Sequence, residues 1–170
     1  METVYILGAA RTPMGAMQGL LSSASASFLG GTAIAAAVAK SSVPMGHIDE
    51  LLMGCVLPAG QGQAPARQAG FFAGLGEDVP ATTINKMCGS GMKAAMVGFD
   101  QLALGASHVI VVGGMESMTQ APYLLPKMRD GARIGHGQVK DSMFLDGLED
   151  AYEEGRLMGS FAEDCAKHYQ

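Results

Sequence analysis

Charge is the first thing this sequence has little of. Lys, Arg, Asp and Glu make up 16% of the 170 residues, against about 25% in ordinary soluble domains. The length suffices for one domain with a real core, but the polar surface is too small for a unit exposed on all sides. Between residues 89 and 104 the only polar side chains are Ser90, Lys93, Asp100 and Gln101, and Thr32-Ala33-Ile34-Ala35-Ala36-Ala37-Val38-Ala39 is apolar nearly all round. A helix that is apolar on most sides must be buried on most sides. Basic runs are also lacking. Lys and Arg number 11 against 16 Asp and Glu, a net charge of −5, so no nucleic-acid partner is expected. Cys55, Cys88 and Cys165 form no Cys-x-x-Cys pair and no zinc spacing, which argues against a metal or dithiol function. Isolated thiols fit a reducing compartment. No apolar run approaches the ~20 residues of a membrane span. The start, Met1-Glu2-Thr3-Val4-Tyr5-Ile6-Leu7-Gly8, has no basic n-region, so neither membrane nor secretion is expected and the expected location is cytoplasmic. Gly8-Ala9-Ala10 lacks the Gly-x-Gly-x-x-Gly spacing, so a dinucleotide site is not expected either.

What is there alternates. Strands are expected at 4–7, 51–56, 81–84 and 108–112, and helices at 27–40, 65–74 and 89–104, with an irregular region from Glu116 onward. Ser27 is placed to cap its helix, and Cys55 falls in a buried strand as a small core residue. Such alternation predicts an α/β fold with a mainly parallel sheet and right-handed crossovers.

Cys88 stands out chemically. It lies in Asn85-Lys86-Met87-Cys88-Gly89-Ser90-Gly91-Met92-Lys93-Ala94-Ala95, between β-branched Thr82, Thr83 and Ile84 and the helical repeat Met92, Ala95, Met96, Phe99, Leu102, Ala103. An ordinary thiol of pKa about 8.5 is only roughly 3% thiolate at neutral pH, and helix N-termini favour the anion. Gly89 and Gly91 have no side chain to block a ligand's approach. Position and neighbours alone are compatible with a nucleophile and with an inert, buried small residue.

This segment resembles the nucleophile motif of the thiolases, the acetyl-CoA acetyltransferases and 3-ketoacyl-CoA thiolases. Three more segments resemble the family in the right order: Ala10-Arg11-Thr12-Pro13-Met14-Gly15, Ala59-Gly60-Gln61-Gly62-Gln63-Ala64-Pro65-Ala66-Arg67-Gln68-Ala69, and Gly113-Gly114-Met115-Glu116-Ser117-Met118. Asp146-Gly147-Leu148 and Met158-Gly159 with Ala162-Glu163 extend the similarity. The resemblance implies a layered fold with the Cys88 helix buried between two sheets, a core domain over 1–118, and the start of a substrate-covering and oligomerisation loop domain over 119–170. It implies Cys88 as acyl-accepting nucleophile, its backbone N–H as one oxyanion donor, and Leu148 and Met158 lining the pantetheine and acyl pocket. Acyl-CoA and coenzyme A would be substrates, no bound cofactor or metal is expected, and the protein would be a homo-oligomer, dimer or tetramer. The implied activity is reversible condensation of two acetyl-CoA to acetoacetyl-CoA, or thiolysis of a 3-ketoacyl-CoA.

The resemblance also implies a longer chain of two similar halves. The family's Asn-Glu-Ala-Phe, Gly-His-Pro and Cys-x-Gly motifs do not occur here. Glu163-Asp164-Cys165-Ala166-Lys167-His168-Tyr169 suggests a helix, so an end at Gln170 is expected not to be a biological terminus, and the 170 residues alone are expected to be inactive. None of His47, His108, His136 and His168 sits in a motif resembling the family's catalytic His. Several short-chain biosynthetic thiolases have a His before the pocket Met, where this chain has Leu157, which leaves acyl length open. Residues 127–140 carry Lys127, Arg129, Arg133 and Lys140 against Asp130, with His136 nearby. They could steer coenzyme A phosphates, although a solvated or tetramerisation-type contact loop is preferred. Two alternatives stand beside a thiolase: a β-ketoacyl synthase-type condensing enzyme, and a noncatalytic half that needs its complement.

Overall fold

The computed structural model describes residues 3–170, which fall into two compact units divided between Gln120 and Ala121. The first is built on a three-stranded parallel sheet. Strand β1 (Glu50–Gly54) lies between β2 (Ala81–Ile84) and β3 (Ile110–Gly114), with Leu51 opposite Ala81 and Val111 and Gly54 opposite Ile84 and Gly114. As the central strand it is covered on both faces, and Leu51 to Gly54 are all buried. Helix α2 (Pro65–Ala73) connects β1 to β2, and α3 (Ser90–Ala103) connects β2 to β3. These crossovers run in opposite directions across the sheet, so right-handed connection puts their helices on opposite faces.

The side chains follow that arrangement with period two. Leu51, Met53 and Cys55 pack into a cluster with Ile34, Val38, Ala66, Ala69 and Ala73 of α2 and of the preceding helix α1 (Ala26–Ser41). Leu52 faces the other way, toward Gly98 of α3. Helices α1 and α2 meet closely because Gly31 has no side chain: a Cβ there would lie 2.4 Å from that of Phe72. Beside this contact Phe28 and Phe72 stack edge to face at 5.7 Å.

Four expectations need correction. Residues 4–7 form no strand; Ile6 is 91% exposed, and the chain instead runs beside α1, where Lys40 Nζ donates to the Ala9 carbonyl at 3.2 Å. A short apolar run makes a strand only where a ladder partner exists, and none is offered among the described residues. The cap of α1 is Ser25, which accepts from Phe28 N–H at 3.1 Å, while Ser27 is buried and donates to the Pro65 carbonyl. Helix α1 buries one face rather than most of its surface, since Thr32, Ala36 and Ala39 are exposed. Finally, the region after Glu116 is not irregular throughout. It holds β4 (Tyr123–Leu124) paired antiparallel with β5 (Lys140–Asp141), a π-helical turn at Phe144–Leu148, and α4 (Met158–Tyr169).

Helix α3 buries Ser90, Ala94 and Gly98 against the sheet. Its opposite face carries Met92, 73% exposed, with Met96 and Phe99 exposed beside it.

Candidate active site

Between Ile84 and Ser90 the chain turns from strand into helix, and side chains pin it on both sides. Asn85 Oδ1 accepts the Met87 N–H at 3.0 Å, an Asx turn, while its Nδ2 donates to the Val56 carbonyl at 3.3 Å. Met87 sits at φ +50°, in the left-handed region that side chains enter at a cost. On the other side Ser90, buried under the turn, accepts the Lys86 N–H at 2.8 Å and donates to the Met87 carbonyl at 2.6 Å. The Gly89 and Ser90 N–H groups return to the Lys86 and Met87 carbonyls at 3.1 and 3.0 Å.

Cys88 sits at the top of this turn and is exposed rather than buried. It precedes the N-cap, Gly89, of a 14-residue helix. The floor beneath is made of glycine. A Cβ on Gly54 would lie 2.6 Å from the Ser90 carbonyl carbon and 2.7 Å from Gly91 N, so β1 reaches the start of α3 only because residue 54 has none.

A second cluster lies at the C-terminal end of β1. Glu116, just beyond β3, accepts the Val56 N–H at 2.7 Å through Oε2, and through Oε1 the Leu57 N–H at 3.1 Å and the Cys55 thiol at 3.5 Å. Gln61 Nε2 donates to the Leu57 carbonyl at 2.8 Å and to Cys55 Sγ at 3.4 Å. Burial, and then the Glu116 charge, push the Cys55 thiol up to about 11. Two cysteines of one unit are thus given opposite surroundings: Cys88 open at a helix N-terminus, Cys55 enclosed beside a carboxylate.

Leu148 and Met158 belong to the second unit. There Glu149 and Leu157 form an antiparallel bridge, reinforced by Asp150 N–H on the Arg156 carbonyl at 2.8 Å, so the two flanking residues are brought to neighbouring positions. Leu148 is half-buried and Met158 exposed. Arg156 braces this hairpin against α4: it pairs with Glu153 at 2.8 Å and Asp164 at 2.7 Å and lies 3.7 Å over the Phe161 ring. In the basic segment, Arg129, Asp130, Gly131, Arg133 and Ile134 line an open cleft of about 650 Å³. Cys165 is exposed on α4.

Sequence reasoning found Cys88 but assigned no task to Asn85, Ser90 or Glu116. The spacing of Asn85 before Met87 is a local Asx signal. The partners of Glu116 lie about sixty positions upstream, and nothing local announces them. Among the described residues no group of three or more His, Cys, Asp or Glu side chains is arranged to hold a metal ion, and no helix is long and apolar enough to cross a membrane.

Residues 4–170 match the family described as Thiolase, N-terminal domain. Acetyl-CoA acetyltransferase IB of Candida tropicalis is 50% identical over 98% of this chain and 41% of its own length. Acetyl-CoA acetyltransferase 2 of Arabidopsis thaliana is 48% identical over 98% and 41%, and an acetyl-CoA acetyltransferase of Pseudomonas aeruginosa is 45% identical over 99% and 43%. The chain therefore spans about two-fifths of the length of these curated relatives.

Proposed function

This chain belongs to the thiolase family, as its N-terminal domain, and on that premise we propose that the whole protein transfers acyl groups between coenzyme A thioesters through Cys88. The observation that carries the reading is the exposed Cys88 thiol on a pinned strand-to-helix turn at the N-terminus of α3.

In the first step the Cys88 thiolate attacks the thioester carbonyl of an acyl-CoA. The carbon–sulfur bond to coenzyme A breaks, coenzyme A leaves as its thiolate and takes up a proton, and Cys88 holds the acyl group as a new thioester. In the second step acetyl-CoA, deprotonated at its α-carbon, attacks that thioester and expels Cys88. The product is a 3-ketoacyl-CoA, acetoacetyl-CoA when both partners are acetyl-CoA, and thiolysis is the reverse. Covalent catalysis of this kind splits one hard step into two. Each oxyanion needs preorganised donors, and the Cys88 backbone N–H is our assignment for one of them. Leu148 and Met158 are assigned to the pantetheine and acyl pocket, a role that suits an adaptable methionine. The names of the relatives favour acetyl-CoA as substrate. A cytoplasmic homo-oligomer is the assembly we propose.

Initial-rate kinetics of the full-length protein with two thioester substrates test the reading. Parallel double-reciprocal lines, lost in Cys88→Ser, are expected; intersecting lines, or activity retained by that variant, contradict it.

A further inference from the structure

Val56 and Leu57 lie beyond the end of β1, and hydrogen bonds tie them to Glu116 on one side and to Asn85, in the turn that carries Cys88, on the other. Val56 lies 60 residues before Glu116 and 29 before Asn85. The Val56 carbonyl and the Leu57 N–H are opposite ends of one planar peptide, and no peptide bond among the described residues is cis. Glu116 Oε1 holds the N–H end at 3.1 Å, so the carbonyl end points away from Glu116. There it meets Asn85 Nδ2 at 3.3 Å. The Asn85 amide is itself planar, and its other end, Oδ1, takes the Met87 N–H at 3.0 Å. Met87 is the left-handed residue immediately before Cys88.

We propose that Glu116 is a positioning residue for Cys88, acting through the Val56–Leu57 peptide and the Asn85 side chain to fix the turn that presents the thiol; this rests on Cys88 being the nucleophile. An ionised carboxylate is all acceptor, which is what this place requires: two backbone N–H groups and one thiol converge on it. A glutamine of the same size would present an NH₂ to at least one of those donors. The plane of the peptide would shift, and Asn85 would lose its anchor while Ser90 still closed the other side of the turn.

The test uses the full-length protein as Glu116→Gln, Asn85→Ala and the double variant. It reads kcat, KM for acetyl-CoA, and the rate of Cys88 alkylation by iodoacetamide across pH, with the modified site identified by peptide mass. Each single variant is expected to lower kcat and slow alkylation about tenfold, with KM nearly unchanged, because displacement of a reacting group costs rate rather than binding. The double variant is expected to be no slower than the slower single, since residues on one relay do not add. Folded single variants that alkylate with the wild-type rate and pH profile overturn the proposal, and so do effects that multiply. Should Glu116→Gln not fold, Asn85→Ala at its exposed site carries the same expectation, and a wild-type rate there overturns it. Acyl transfer surviving in Cys88→Ser would instead remove the proposed function, while the alkylation rates would still report on the relay.

Discussion

Met87 bears the backbone strain of the turn that presents Cys88. At φ +50° a glycine is at ease and a β-branched residue is not. Met87→Gly is therefore expected to hold the midpoint of urea unfolding within about 1 kcal/mol of wild type, and Met87→Ile to lower stability by about 1–3 kcal/mol. Ser90→Ala removes a buried hydroxyl that accepts from Lys86 and donates to Met87. The Lys86 N–H is left without its acceptor, and a loss of about 1–3 kcal/mol in the same assay is expected. Thiol chemistry separates the two cysteines of the first unit. At pH 8 iodoacetamide should modify Cys88 in the folded protein and leave Cys55 untouched until denaturant is added, which peptide mapping reads directly. Cys55 also sets an alkaline limit. Its thiol is raised from an ordinary value near 9 to about 11, so below pH 9 both folded and unfolded chains hold the proton. Above that the unfolded chain releases it first, and stability falls as pH climbs from 9 toward 11. Cys55→Ala should flatten that alkaline decline in unfolding midpoints. At this scale the sequence made Cys88 legible, because glycines, a β-branched strand and a helical repeat surround it within a dozen residues. Glu116 was not legible as a positioning group, because its donors lie about sixty positions upstream, just past the end of another strand.

Strand β1 is the element on which the site depends, and Gly54 is where it meets α3. A Cβ placed 2.6 Å from the Ser90 carbonyl carbon cannot be relieved by a rotamer change, since both sides are backbone. Gly54→Ala is expected to destabilise the unit by about 1–3 kcal/mol and to displace the turn carrying Cys88; a wild-type unfolding midpoint would contradict that packing. At the other end of the strand Asp49 accepts the Val109 N–H at 2.9 Å and the His108 N–H at 2.6 Å through Oδ2. These bonds, Val109 first, hold its carboxyl below the usual range. The stabilisation is present above the ordinary carboxylate value and is lost as pH falls through the lower folded one. Asp49→Asn should therefore show a shallower loss of stability below pH about 4. The β–α–β alternation was legible because parallel strands need helical crossovers. The strand expected at 4–7 failed for a reason periodicity does not contain: its apolar residues have no ladder to join. Helix α4 begins at Met158, further upstream than its charged end suggested, because Arg156 anchors the preceding hairpin to Asp164 inside the helix.

Across the whole molecule the shortage of charge finds its counterpart in surface: Met92, Met96 and Phe99 on α3 are exposed large apolar residues of a chain spanning about two-fifths of its relatives' length. The turn that presents Cys88 lies within the first unit, and Leu148 and Met158 are neighbours within the second. We propose that both serve coenzyme A thioester chemistry through one atom, Cys88 Sγ. The most direct measurement of that claim is intact-mass spectrometry of the full-length protein before and after acetyl-CoA, with Cys88→Ala alongside. An acetyl adduct on the wild type, mapped to the Cys88 peptide and missing from the variant, is the predicted result. An unmodified wild type, or an adduct that persists in Cys88→Ala, would contradict it.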